Sequence, residues 1–275
     1  MSLSVNTNAG ALIALQNLTN TEAQLQAAQN QVSTGLAVSS ASDNGAIYAI
    51  AQNQRSTSSA LNSVTQSLQR VQSTVNVATS AGSTVSDLLN QLKAAALSAS
   101  DTSTNTASRE ALNATFTSLL SQIKSVVSNS SFNGINLIDG SVTSLAALAS
   151  ADGKSKLTVS AQSLALGGAN ITVAAAATIS TATAATTQLA LVDASITNVN
   201  NALAKLGASE NALQTQITFT GTLQDTIDTG VGNLVNANLA KESATLTALQ
   251  TKQSLGIQAL SIANSSSQSL LSLFR

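Results

Sequence analysis

The amino-acid sequence predicts a mainly α protein: long antiparallel helices forming a coiled-coil-like rod, with a small β-hairpin region in the middle of the chain. Three observations carry that reading. Apolar residues recur at alternating steps of three and four over long stretches, the signature of paired helices. Proline is absent from all 275 residues, and an interior proline would break a helix at a cost of about 3 kcal/mol. Turn-forming Asn-Gly, Asp-Gly and Gly-Gly pairs gather between about Phe132 and Thr187, where short strands and hairpins are expected.

Residues 1–44 read as a terminal helix and a connector. Leu18, Leu25 and Val32 recur at sevens with Ala14, Thr21 and Ala28 between them, a weak stripe made partly of small residues. Residues 45–130 read as a long helix with a shorter one returning beside it. Leu61, Val64, Leu68, Val71, Val75, Ala78, Gly82, Val85, Leu89, Leu92 and Ala96 hold an a/d heptad, which at 1.5 Å per residue spans roughly 50 Å. Gly82 lies on that seam, where it lowers helix propensity and permits close approach. After a polar break at Ser100–Thr106, Leu112, Phe116, Leu119, Ile123 and Val126 keep the same steps. So short a connection implies an antiparallel hairpin. The second helix should stop near Asn129, ahead of the Asn133-Gly134 turn.

Residues 131–187 read as a short β and loop region. Asn133-Gly134, Asp139-Gly140, Asp152-Gly153 and Gly167-Gly168 punctuate β-leaning runs such as Leu157–Val159 and Ile171–Val173. The Ala/Thr tract from Val173 to Thr187 is low-complexity and reads as a loop or a loosely packed strand. Helix returns at Leu189, and a heptad through Ile196, Val199, Leu203 and Leu206 fills residues 188–230. Glu210 is the one carboxylate on a seam, and reads as a register or pairing residue rather than a catalytic acid. The register shifts around Thr220–Ile227. Residues 231–275 then form a last helix, with Val235, Leu239, Leu246, Leu249 and Leu260 leading to Leu270, Leu271 and Leu273.

Composition removes whole classes of chemistry. There is no His and no Cys, hence no ordinary zinc site, thiol nucleophile, imidazole base or disulfide. A net charge of −1 with only 8% charged residues offers no basic patch for nucleic acid. The scattered carboxylates form no pair suited to acid–base work, so neither an enzyme nor a cofactor is expected. Nothing resembles a secretory signal or a membrane-spanning segment, which read naively means a cytoplasmic protein.

Four motifs name a family. Val5-Asn6-Thr7-Asn8, Val32-Ser33-Thr34-Gly35-Leu36 and Ser39-Ser40-Ala41-Ser42-Asp43-Asn44-Gly45-Ala46 resemble the N-terminus of bacterial flagellins. Ser131-Phe132-Asn133-Gly134-Ile135-Asn136-Leu137-Ile138-Asp139-Gly140 resembles the motif closing their N-terminal helical region. Near the other end, Asn233-Leu234-Val235-Asn236-Ala237-Asn238-Leu239-Ala240-Lys241-Glu242-Ser243 and Gln258-Ala259-Leu260-Ser261-Ile262-Ala263-Asn264 through Leu273-Phe274-Arg275 resemble the C-terminal segments. The resemblance covers roughly residues 1–140 and 187–275 and looks closest to the short flagellins of alphaproteobacteria. Many family members carry Pro shortly after the Ala-Asn pair near the C-terminus, whereas this chain reads Asn264-Ser265-Ser266-Ser267-Gln268.

The resemblance implies a secreted, extracellular subunit. It would pass through the flagellar export apparatus without a cleaved signal and polymerise into the flagellar filament. The expected partners are other flagellin copies, an export chaperone and the filament cap protein, with no nucleic acid and no membrane insertion. Filament-core packing would fall to Leu18, Leu25, Val32, Leu239, Leu246, Leu249, Leu260, Leu270, Leu271 and Leu273. These stripes would remain largely unordered until neighbouring subunits supply the other face. Rod packing would fall to Leu61, Val64, Leu68, Val71, Val75, Val85, Leu89, Leu92, Leu112, Phe116, Leu119, Ile123, Ile196, Val199, Leu203 and Leu206.

Related flagellins carry glycans on Ser or Thr, which makes Ser141, Thr143, Ser144, Ser160 and Ser163 candidates; a plain solvated loop explains them equally. Innate-immune receptors recognise many flagellins at an L-Q-R-V-R-E-L stretch. The corresponding Asn90-Gln91-Leu92-Lys93-Ala94-Ala95-Ala96-Leu97 lacks the Arg and Glu, implying weak or no activation. The nearest alternative is the hook–filament junction protein, which has similar helical termini. A coiled-coil adhesin or needle-tip protein would explain the heptads but not the four motifs.

Overall fold

The computed structural model describes residues 8–273. Helix α1 (Ala9–Thr34) is followed by α2 (Gly45–Ser100) and α3 (Thr106–Asn129), then strands β1 (Ser144–Leu148) and β2 (Lys156–Ser160), then α4 (Ala182–Val235) and α5 (Leu239–Leu273). Each helix starts on a side-chain oxygen that accepts an otherwise orphaned N–H. The acceptors are Asn8 for Ala11, Asn44 for Ile47, Asn105 for Ser108, Thr181 for Ala184 and Asn238 for Lys241. Arg109 of α3 turns back to close α2: Nε donates to the Ala99 carbonyl at 2.9 Å and Nη2 to that of Asp101 at 3.0 Å.

Two boundaries differ from the sequence reading. Helix α4 begins at Ala182, within the Ala/Thr tract, rather than at Leu189. Alanine is the strongest helix former, and Ala185 is fully buried, so the tract has both propensity and a packing face. The helix also runs unbroken through Thr220–Ile227 to Val235. There Thr218, Thr220 and Thr222 donate their hydroxyls to the carbonyls four residues back, which satisfies them without leaving the helix. Ile171–Val173 forms no strand; Ile171 makes one isolated bridge with Leu166.

The chain divides into two compact units, Thr57–Asp225 and Met1–Ser56 with Thr226–Arg275. In the first, the core is built from Leu68, Leu89 and Leu92 of α2, Phe116, Leu120 and Ile123 of α3, Leu206 of α4, and Leu137, Ile138, Leu164, Ile171 and Ile179 of the middle segment, all essentially inaccessible to solvent. The β1–β2 hairpin is antiparallel, with Leu145 opposite Val159 and Ala147 opposite Leu157 on its buried face. Polar side chains fasten the middle segment to the helices. Ser67 accepts from Leu148 N at 3.1 Å, Asn113 from Ile179 N at 2.7 Å and Ser195 from Thr172 N at 3.0 Å.

Helices α2 and α4 pair antiparallel within this unit through a ladder of polar contacts. Asn62 meets Gln224, Gln72 meets Gln214, Asn76 meets Glu210, and Lys93 forms an ion pair with Asp193 at 2.7 Å. Every advance along α2 from one pair to the next equals the retreat along α4, so all four hold a single register. Gly82 lies on the same interface, where a methyl group would stand 2.7 Å from Leu203 Cδ2. Close approach, rather than turn geometry, is what requires glycine there.

Candidate functional site

The surface of interest is the pair formed by α1 and α5 in the unit that contains both termini. They pack antiparallel along their length. Asn8 Nδ2 donates to the Ala263 carbonyl at 2.7 Å, and Gly256 sits against Leu18, whose Cδ1 a methyl there would meet at 3.3 Å. The linkers leaving the two helices are tied together. Ala37 N donates to the Val235 carbonyl at 2.7 Å and Ala237 N to that of Gly35 at 2.9 Å, with Leu36 and Asn236 bridged between them. Gly35 takes the left-handed conformation at φ 71°, ending α1. Beneath this clasp Val38, Ala51, Val231 and Val235 form a small core edged by Leu36, Ile47, Tyr48 and Ile227.

The connector after α1 is organised by Asp43. Its Oδ2 accepts from the backbone N–H of Ser40 at 2.8 Å and of Ser39 at 2.9 Å, and from both serine hydroxyls. These bonds, the Ser40 backbone first, hold the carboxyl below its ordinary range. Serine donors act in the same direction on Asp101 and Asp152.

The sequence-derived stripe of α1 faces its own α5. Thr21 and Ala28 are 3% exposed, and Leu18, Leu25 and Val32 are half-buried on the same seam. On α5, Leu249 is buried, Leu246 and Leu260 are half-buried, and Leu239 is exposed. Leu270, Leu271 and Leu273 lie outside the residues whose side chains are described. In the other unit Leu61, Val64, Leu68, Val71, Val75, Val85, Leu89, Leu92, Phe116, Leu119, Ile123, Val199 and Leu206 are buried, while Leu112, Ile196 and Leu203 are half-buried. Ser141, Thr143, Ser144 and Ser160 are exposed; Ser163 is half-buried, its Oγ 3.0 Å from where a methyl on Gly140 would lie.

What stripe-reading missed is the apolar surface off the seam of the helix pair. Leu12, Ile13, Leu15, Leu255, Ile257 and Ile262 are 49–70% exposed. They fall off the seven-residue seam, and their signal was only that α1 and α5 carry apolar residues on more sides than one partner covers. A groove of about 440 Å³ runs between the helices, lined by Ala14, Gly256 and Ala259 together with Ile13 and Leu255. Among the described residues no three His, Cys, Asp or Glu side chains converge as metal ligands. Nor, among them, is any helix long and apolar enough to cross a membrane. What the pair presents to solvent is apolar surface.

Comparison with known proteins agrees with that chemistry. Residues 5–143 match the model of the bacterial flagellin N-terminal helical region, and residues 189–274 that of the C-terminal helical region. Flagellin FljM of Caulobacter vibrioides is 54% identical over 272 residues, covering 99% of this chain and 98% of that one. A flagellin of Brucella melitensis is 37% identical over 281 residues, covering 99% of each. A crystal structure of Bacillus cereus flagellin aligns at 18% identity and a TM-score of 0.49, over 56% of this chain and 88% of that one. The full-length matches to flagellins do not favour the junction-protein alternative. Both terminal regions and the whole length of its relatives place this chain in the bacterial flagellin family, as a structural subunit of the extracellular flagellar filament.

Proposed function

We propose that the α1·α5 pair is the surface through which the subunit polymerises, and that the Thr57–Asp225 unit has no catalytic role. The observation that carries this is the set of six large aliphatic side chains that the pair leaves exposed away from its seam. Full burial of one such side chain is worth roughly 1.5–3 kcal/mol. Six together can offset an ordering cost of roughly 1–2 kcal/mol per residue only when several neighbours contribute at once. Growth is then cooperative, and a contact between unlike surfaces propagates as an open helix.

The same aliphatics suit an export chaperone that covers them before secretion through the flagellar apparatus. A cap protein at the growing end would then seat each arriving subunit. At the candidate receptor stretch Asn90, Gln91, Lys93, Ala94 and Leu97 are the exposed members, and Lys93 is engaged with Asp193. That surface supports weak or no receptor activation. Ser141, Thr143, Ser144 and Ser160 are the accessible candidates for glycans, and an intact mass equal to that of the bare chain rules the modification out.

Removal of residues 266–275 tests the central reading. The expected product is a soluble, helical monomer that forms no filament under conditions where the full chain does. Filaments of normal yield from the truncated chain would refute it.

A further inference from the structure

The two flanks of the α1·α5 pair are unlike, and they match. At about 100° per residue, the seam of α1 runs through Leu18, Leu25 and Val32. Ile13 and Asn17 fall to one side of it, and Leu15 and Glu22 to the other. On α5 the seam runs through Leu249, Gly256 and Leu260; Lys252, Leu255 and Ala259 fall to one side, and Ile257 to the other. Because the helices are antiparallel, the first sets share one flank, which is the flank that holds the groove. The second sets share the opposite flank, where Leu15 is 49% and Ile257 54% exposed.

Charge follows the same division. Glu22 is the only charged residue of α1 and projects on the aliphatic flank. Among the described residues, Lys252 is the only charged one lining the groove. Since Thr21 and Lys252 line the same end of that groove, Glu22 and Lys252 stand at the same level of the pair on opposite flanks. A second copy set alongside with its helices pointing the same way therefore brings carboxylate to ammonium and Leu15 to the groove together, with no shift along the axis.

We propose that adjacent subunits join through these unlike flanks, the groove of one copy receiving the Leu15 and Ile257 flank of the next, with Glu22 of one copy paired to Lys252 of the other. The proposal rests on the reading of the terminal pair as the polymerising surface and adds its polarity and register. Groove and flank lie on every copy, so the contact does not close on itself and continues into a polymer of parallel subunits. The charge pair sits at the rim, where it selects register and rate more than it adds affinity.

The test is a charge exchange in the full-length chain at low ionic strength, where screening is weakest. Protein left unpolymerised at the end of growth is measured by sedimentation, filaments are counted by electron microscopy, and circular dichroism checks folding. Glu22→Lys and Lys252→Glu alone should each raise the unpolymerised concentration on the order of tenfold, as like charges meet across the contact. An equimolar mixture of the two variants should return to about the wild-type value, because each then offers the other an opposite charge at both flanks. The double variant should do the same.

Ala259→Phe, which fills the groove, should abolish growth and not be restored by mixing. Single variants that polymerise like wild type, or a mixture and double variant no better than the singles, overturn the proposal. The chain lacking residues 266–275 is run alongside. If it polymerises, the terminal-pair reading itself fails; if it does not and charge exchange has no effect, only this pairing of flanks fails.

Discussion

Asn136 offers the sharpest test of how the middle segment is held. It is buried, and both ends of its amide are engaged. Nδ2 donates to the Val127 carbonyl at 2.7 Å, while Oδ1 accepts from Ile138 N at 2.9 Å and Asp139 N at 3.2 Å. One side chain thus closes the end of α3 and fixes the turn that sends Leu137 and Ile138, both fully buried, into the core. In Asn136→Ala the two N–H groups lose their acceptor, and the Val127 carbonyl keeps only a 3.5 Å contact with Ser130 N. Three bonds at about 0.5–1.5 kcal/mol each, with about 1–3 kcal/mol for a buried group left unpaired, give an expected loss of about 3 kcal/mol.

For a unit of this size that is a fall in Tm of about 6–12 °C. Thermal and urea unfolding of the full chain followed at 222 nm measures it. The control is Asn129→Ala, an exposed residue whose side chain donates to Ser125 Oγ at 3.2 Å, which should stay within about 0.5 kcal/mol of wild type. A loss below about 1 kcal/mol at Asn136 would show that the segment is held by apolar packing alone.

Two further outcomes follow from single contacts. Gly82→Ala should destabilise by about 1 kcal/mol, because displacing Leu203 from 2.7 Å outweighs the gain in helix propensity. In a Leu203→Ala background the same change should stabilise, and urea unfolding reads the reversal of sign. Asp43 should titrate below its ordinary value of 3.8. Its carboxyl is depressed in the folded chain, so its contribution to the connector is present above the unfolded value and lost as pH falls through the folded one. The amide shifts of Ser39 and Ser40 should follow that same low titration, and a midpoint at or above 3.8 would contradict the bonding.

The long helices were legible because their seams are built from Leu and Val, whose burial and periodicity coincide, as at Leu68, Val75, Leu89 and Leu92. The turn at Asn133-Gly134 was legible from chemistry: both residues take positive φ, at 50° and 78°, as a two-residue hairpin turn of Asn-Gly requires. The start of α4 was not legible, since an Ala/Thr tract has helical propensity but no stripe, and only the packing of Ala185 decides it. The pairing of Asn76 with Glu210 was half legible. A carboxylate on a seam implies a polar partner, but the partner lies on a helix more than a hundred residues away and leaves no local mark. The exposed surface of α1 and α5 was hidden for a different reason. Leu12, Leu15 and Ile257 are 49–62% exposed and fall off the seam, so no intrachain period selects them.

The contrast between the two seams explains why one chain can hold a finished core and an unfinished one. Along α2 half of the buried positions are Leu or Val, each worth roughly 1.5–3 kcal/mol when removed from water. Along α1 the fully covered positions are Thr21 and Ala28, which bury little apolar area, and Thr21 also spends its hydroxyl on the Asn17 carbonyl. Small residues let α1 and α5 approach closely, but they leave the larger aliphatics to rim and flank rather than seam. A lone subunit therefore gains least from the very helices that carry the most uncovered apolar surface. On the proposed reading a neighbouring copy covers that surface, and completion of this part of the fold and growth of the polymer would then be the same event.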